Sequence, residues 1–267
     1  MSKRQLRKPT PQSKSRRKVY VSVFSIVTII ILLYLLWPKS GPVPEPPIGG
    51  VTIIDSFYST TPRFTDEAVN YIKSQGLKVN TYKEKNITVD FYKKLPRYSN
   101  SILLLRLHSG TRNATGTPTY LFTTQLYNPT DYFWEQMGGV IMAGKTSPTD
   151  PNEKPVFTVG PQFITTMLEG QFNDTIVILS SCYGLTTADL ATEFIKKGVK
   201  AFISWDDRVS LFHTDRASTL LLKLLIENKM TVSEAVASVM NSIGPDPDYK
   251  SVLRYFPAQA GAVRAKL

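Results

Sequence analysis

Cysteine and histidine are nearly missing from this chain: one Cys and two His stand in 267 residues. A single thiol excludes an intramolecular disulfide framework, and three such side chains in total are too few for a structural zinc site of the usual Cys/His type. No metal and no cofactor is therefore expected. Acidic residues are missing from residues 1–18, which carry eight basic ones (Lys3, Arg4, Arg7, Lys8, Lys14, Arg16, Arg17 and Lys18). Taking those eight from the net charge of +11 leaves +3 on the other 249 residues. So small a remainder is not the basic surface of a nucleic-acid-binding domain, and no nucleic-acid partner is expected. General disorder is excluded too, since 42% of the residues are hydrophobic.

Charge is absent again from Val19 to Trp37, a run of 19 residues. At roughly 1.5 Å per residue it would span about 28 Å as a helix, close to the thickness of a bilayer's hydrocarbon layer. It ends in Tyr34-Leu35-Leu36-Trp37 rather than in the small residues of a cleavage site, so an uncleaved transmembrane anchor is expected. The positive charge before it predicts a single-pass protein of the cell membrane, N-terminus in the cytoplasm and the rest exported, which makes residues 19–37 a membrane partner site. Pro38 to Gly50 holds five prolines and three glycines in 13 residues and reads as a semi-rigid stalk. Residues 51–267 then form the exported domain. Asn-x-Ser/Thr acceptors at Asn86, Asn113 and Asn173 agree with that side of the membrane.

Within the domain, strand and helix patterns alternate. Val51–Asp55 reads as a strand, Arg63–Gln75 as a helix, Leu77–Tyr82 as a strand, and Val89–Leu95 as a short helix ended by Pro96. Ser101–Leu107 is a continuous apolar strand of the kind that parallel sheets bury on both faces. Pro161–Glu169 and Thr187–Lys197 read as helices, Thr175–Ser180 and Lys200–Ser204 as strands, and Phe212–Glu227 and Val232–Met240 as amphipathic helices. This order predicts an α/β fold, a three-layer α/β/α sandwich around a mainly parallel sheet. Residues 111–160 break the rhythm and read as a hairpin-bearing insertion.

Open parallel sheets gather functional groups at the carboxyl ends of their strands. One apolar strand runs into His108-Ser109-Gly110 and another into Ser181-Cys182-Tyr183-Gly184, so the only thiol and one of two imidazoles hold equivalent positions. A lone cysteine is ordinarily a small buried hydrophobe. Placed at a strand end with a matching imidazole it reads as a nucleophile, because a thiol with a free pKa of about 8.5 needs a base at neutral pH. The glycines two residues beyond each allow tight turns, and the amides of Ser109, Gly110 and Cys182 are the candidate oxyanion donors.

The segments ILLLRLHSG at 102–110 and IVILSSCYG at 176–184 resemble the caspase-fold cysteine peptidases, which include caspases, legumains, gingipains, separases and the bacterial CHAT proteases. The likeness continues through residues 185–236, closest to the CHAT and separase pattern, and covers most of residues 51–267. It implies a caspase-like sheet, a peptide or protein substrate, His108 and Cys182 as the catalytic pair, and a substrate pocket beside the strand that follows the Cys. Ser109 stands where the family usually has Gly. Caspases follow that strand with Ser-Trp-Arg, whose Arg recognises an aspartate; here the segment is Ser204-Trp205-Asp206-Asp207. The reversed charge predicts a preference for Arg or Lys before the scissile bond, with Asp206 favoured over Asp207. The same Asp residues could instead cap the helix that follows. The overall expectation is an extracytoplasmic cysteine endopeptidase; the alternative is an inactive binding or sensor domain on the same fold.

Two other signals are weaker. Gly139 to Thr146 fits G-x-x-x-x-G-K-[ST], but strand-like residues fill its middle and Pro148 and Pro151 forbid the helix that phosphate binding needs. His213 is expected at the surface or as a cap near Asp215, and Trp134 with Tyr132 and Phe133 as packing within the insertion.

Overall fold

Four consecutive apolar residues and an arginine, Ile102–Arg106, form strand β3, and all five are buried. A strand with no polar face must be covered on both sides, and this one lies in the middle of a six-stranded sheet. The computed structural model describes Thr28 and residues 49–112, 118–147 and 149–267. The chain divides into two units, Met1–Val43 and Pro44–Leu267, of which the second is treated below. The basic tail at 1–18, the expected membrane segment (except Thr28), the stalk through residue 48 and residues 113–117 and 148 of the insertion lie outside the described residues. Among those that are described, no helix is long and apolar enough to cross a membrane.

The main sheet, sheet A, has the order β10-β9-β8-β3-β1-β2. Its members are β1 (Val51–Asp55), β2 (Val79–Lys83), β3, β8 (Ile176–Ser180), β9 (Ala201–Trp205) and β10 (Leu253–Phe256). Every neighbouring pair is parallel except β9 with β10. Alternation of side chains along the strands sends Ile53, Ile102, Leu104, Ile176, Ile178 and Ile203 into one core. That core is closed by α1 (Arg63–Ser74) and by two longer helices, Leu211–Ile226 and Val232–Ile243. The opposite face sends Ile54, Leu103, Leu105, Val177, Leu179 and Phe202 into a second core. It is covered by α2 (Val89–Lys93), α3 (Leu95–Tyr98), α5 (Pro161–Thr166), α6 (Asp189–Lys196) and part of a second sheet, with α4 (Phe133–Met137) lying outside it. The two longer helices are α7 and α8 in chain order. In α1 the apolar positions Phe64, Ala68 and Ile72 recur every four residues, which puts them on one buried stripe. Helix α8 starts with a capping box in which Thr231 and Glu234 satisfy each other's backbone N–H.

Sheet B fills the insertion. It is antiparallel, in the order β4-β5-β7-β6, with β4 at Ser109–Thr111, β5 at Thr119–Leu126, β6 at Ile141–Gly144 and β7 at Val156–Val159. The expected hairpin is thus a four-stranded sheet. Its inner residues Leu121, Ile141, Phe157 and Val159 join the second core, while alternate residues of β5 are half-buried.

Several expectations move at element ends. The helix expected to stop before Pro96 stops at Lys93, and a new turn begins at Leu95 with Pro96 in its first turn, where a missing N–H costs nothing. His213 is buried rather than at the surface: its Nε2 lies 3.1 Å from the Gly244 carbonyl and its ring 5.2 Å from that of Trp205. Trp134, expected to pack, is 80% exposed. Gly139 to Thr146 contains β6 and no helix, as its prolines require.

Candidate active site at the carboxyl edge of the parallel sheet

Strands β1, β2, β3, β8 and β9 point the same way, so their carboxyl ends share one edge. The register between β3 and β8 ends on Arg106 opposite Ser180. His108 and Cys182 each lie two residues beyond that last pair, and both line one cleft of about 830 Å³. His108 is also the hinge between the sheets. Its carbonyl accepts from the Phe122 N–H at 3.0 Å, and Ser109 opens β4.

His108 is an exposed residue whose imidazole is flanked by aromatic rings, Phe57 edge-on at 4.5 Å between centroids and Phe122 at 6.4 Å. Crowding by protein lowers its pKa below the ordinary imidazole value, although the charge of Glu153 pulls the other way. Phe57 is fixed from behind: its N–H donates to Asp55 Oδ1 at 2.8 Å, and the Arg106 guanidinium lies over its ring at 5.3 Å. Arg106 is fully buried and donates to Asp55 Oδ1 at 2.7 Å, to both carboxylate oxygens of Asp215 at 2.7 and 2.8 Å, and to Thr61 at 2.8 Å. A charge so far from water persists because every part of its fork is paired.

Cys182 is half-buried. Its sulfur faces Val209, accepting from that residue's N–H at 3.5 Å and donating to its carbonyl at 3.6 Å. Burial raises the thiol pKa, against the lowering effects of the Val209 N–H and the positive charge of Arg208. A lowered imidazole and a raised thiol make a neutral pair at neutral pH.

The two strand ends are tied together through Ser109. Its hydroxyl lies within hydrogen-bond reach of Ser181 Oγ at 2.6 Å and of the Cys182 carbonyl, while Ser181 Oγ donates to the Leu107 carbonyl. Ser109 sits in a strand and has ordinary negative φ, so the position after the His does not demand glycine. The left-handed residue is instead Tyr183, at φ 59°. Gly184 is required by crowding: a Cβ there would lie 2.1 Å from Ser204 Oγ and 2.6 Å from its Cβ.

The three candidate oxyanion amides differ. The bond from Phe122 N–H to the His108 carbonyl makes Ser109–Leu121 a non-hydrogen-bonded pair, so the Gly110 N–H belongs to the ladder opposite Tyr120. The amides of Ser109 and Cys182 have no acceptor among the described residues.

Ser204, Trp205, Asp206 and Asp207 are not brought into this cleft. Ser204 is buried and donates to the Leu179 carbonyl at 2.8 Å, and Trp205 is a core residue whose Nε1 donates to Thr214 at 2.9 Å. Asp206 accepts from Arg254 Nε and from the Val252 N–H, both at 2.7 Å. With Asp207 it lines a separate hollow of about 510 Å³. An own-chain arginine thus occupies the carboxylate that was expected to receive a substrate's basic side chain. The cleft walls include residues that the sequence reasoning passed over: Arg208, whose charge acts on Cys182, Tyr249, and Arg112 and Lys145 just beyond strands of sheet B. Arg208 stood one place beyond the segment singled out, a signal within reach; Tyr249 had none.

Compared with known proteins, the chain matches no family model and no curated protein.

Proposed function

We propose that the chain is a membrane-anchored cysteine endopeptidase whose folded unit, exported from the cytoplasm, hydrolyses peptide bonds with Cys182 and His108. The observation that carries this reading is that these two side chains follow the ends of adjacent parallel strands and line one cleft. The sheet order with its antiparallel edge strand, and helices against both faces, supports reading the fold as a three-layer α/β/α sandwich with a caspase-like sheet. The uncharged run at 19–37 supports the anchor.

In this mechanism His108 takes the Sγ proton as the sulfur attacks the peptide carbonyl, and the carbonyl electron pair moves onto oxygen. The amides of Ser109 and Cys182 receive that oxyanion. Collapse breaks the C–N bond, His108 protonates the departing amine, and a thioester remains on Cys182. Water, deprotonated by His108, then releases the acid and returns the proton to sulfur. Because the resting pair is neutral, the proton leaves sulfur as substrate binds rather than beforehand.

Cys182→Ala is expected to lower peptide hydrolysis by at least about a thousandfold and to abolish labelling by a thiol-directed peptidyl electrophile, with the fold unchanged. Hydrolysis undiminished by that substitution refutes the enzyme reading. The second reading, an inactive binding or sensor domain, is favoured by the engagement of Sγ with Val209 and the raised thiol pKa. Alkylation of Cys182 with no hydrolysis of any peptide in a diverse library would establish it over the first.

A further inference from the structure

The charged side chains that line the cleft, among the described residues, are of one sign. Its walls hold three cations from three different elements: Arg112 beyond β4, Lys145 beyond β6 and Arg208 in the loop between β9 and α7. No Asp or Glu among the described residues lines it. None of the three cations forms an ion pair among the described residues: Arg208 donates to the Tyr183 hydroxyl, and Lys145 to the Asp150 carbonyl at 3.3 Å. By contrast Arg63, Arg97, Arg106, Arg254 and Lys266 elsewhere each meet a carboxylate.

Three acids outside the lining hold hydrogen bonds of their own and still act on the cleft: Glu153 on His108 and Lys145, Asp207 on Arg208, and Asp207 with Asp246 on Cys182. Glu153 accepts from the Thr146 N–H and hydroxyl and from the Ser147 N–H, at 2.6 to 2.8 Å. Asp207 accepts from the Arg208 N–H at 2.7 Å and lines the other hollow. Cations gathered in a concave, partly water-excluded space focus a positive potential on whatever enters it.

Resting on the peptidase reading, we propose that the substrate is an acidic polypeptide segment, its carboxylates pairing with Arg208 beside the nucleophile and with Arg112 and Lys145 on the sheet B wall. This is the opposite of a preference for Arg or Lys. A basic segment would bring like charges together in the cleft and give up its hydration without a partner. Three cations on separate elements suit an extended segment with several acidic residues. The cavity volume lies within the usual range for ligand sites, about 300 to 1,000 Å³, and admits a few residues at a time.

The test separates charge selectivity from turnover. The full chain carrying Cys182→Ala is mixed with two fluorescent peptides of equal length, one with Glu and one with Lys at the variable positions, and anisotropy is read. The Glu peptide is expected to bind at least about tenfold more tightly, with the gap narrowing as ionic strength rises from about 0.01 to about 0.15 M and the Debye length falls from about 30 to about 8 Å. Arg208→Glu and Lys145→Glu, both surface changes, are each expected to shrink or reverse the gap, and Arg208→Lys to keep most of it. Equal binding, tighter binding of the Lys peptide, or tighter binding of a single-stranded oligonucleotide than of the Glu peptide overturns the proposal. If the native chain cleaves no peptide but its Cys182→Ala form still selects the acidic one, the peptidase reading fails and the charge assignment stands.

Discussion

Sheet A and sheet B meet at His108 and contribute different things to the same cleft. In sheet A, β3, β8 and β9 are buried along their whole length, and the groups with reactive chemistry sit just beyond their ends. In sheet B every strand has half-buried or exposed positions, and it supplies walls: Tyr120, Phe122, Met142 and Thr158 from the strands, Arg112 and Lys145 beyond them. A sheet packed on both faces fixes atoms closely, which is what the proposed nucleophile and base need. A sheet open on one face tolerates change in its outward side chains, which suits the selection of a substrate.

The sharpest way to break that contrast is to excavate each sheet in turn. Leu104→Ala, in the middle of β3 and fully buried, is expected to cost about 2–5 kcal/mol. Met142→Ala in β6, half-buried and facing the cleft, is expected to cost under about 1 kcal/mol while altering peptide selectivity. Denaturant unfolding measures both, and equal losses would mean that sheet B is as much a core element as sheet A.

A smaller effect comes from adding a methyl group. Gly184→Ala drives a Cβ into Ser204 and is expected to cost about 1–3 kcal/mol and to reduce turnover by displacing the Cys182 turn. Ser204→Gly in the same chain removes two of the three atoms it strikes, leaving Leu179 Cδ2 at 2.7 Å, and should restore part of the loss. The sheet B counterpart is Gly139→Ala, at φ 68° with no atom within 4 Å, which is expected to cost about 1 kcal/mol for the backbone alone. Its turnover should be unaffected, and a fall in kcat would show that the insertion also positions the reacting groups.

The smallest effect is on acidity. With His108 depressed by crowding, the acid limb of kcat/KM is expected below the roughly 6.5 of free imidazole, since the base must be neutral to accept a proton. With Cys182 raised by burial, alkylation of the substrate-free chain by iodoacetamide should climb only above the roughly 8.5 of a free thiol. Phe57→Ala opens the imidazole to water and should move the acid limb upward while leaving the alkylation profile in place. An acid limb above 6.5 in the native chain, or alkylation complete at neutral pH, would mean an ion pair at rest.

Local pattern carried most of the fold. Val51–Asp55 is a strand over the residues expected, and the Arg63 helix ends one residue early, because apolar spacing and a following glycine encode both without distant partners. The strand-end positions of His108 and Cys182 were legible for the same reason. What was not legible depends on partners far along the chain. Asp206 turns away from the cleft because Val252 and Arg254, 46 and 48 residues later, claim its carboxylate. His213 is buried because Gly244 offers a carbonyl 31 residues on. Four strands in the insertion rather than one hairpin follow from pairing β5 with β7 across α4 and β6, a separation that no local window spans.

Tyr183 illustrates a compromise between durability and use. A left-handed backbone at a bulky residue costs about 1–2 kcal/mol that glycine would save. The conformation is held from three sides: by its N–H to the Asp207 carbonyl at 3.0 Å, by Thr119 on its own carbonyl at 2.8 Å, and by Arg208 on its hydroxyl. Exchanging it for glycine would relax the turn after Cys182 and leave Arg208 without its anchor. A search for hardier versions of this protein by thermal selection alone would therefore favour the variant that frees the Arg208 side chain from the cleft wall.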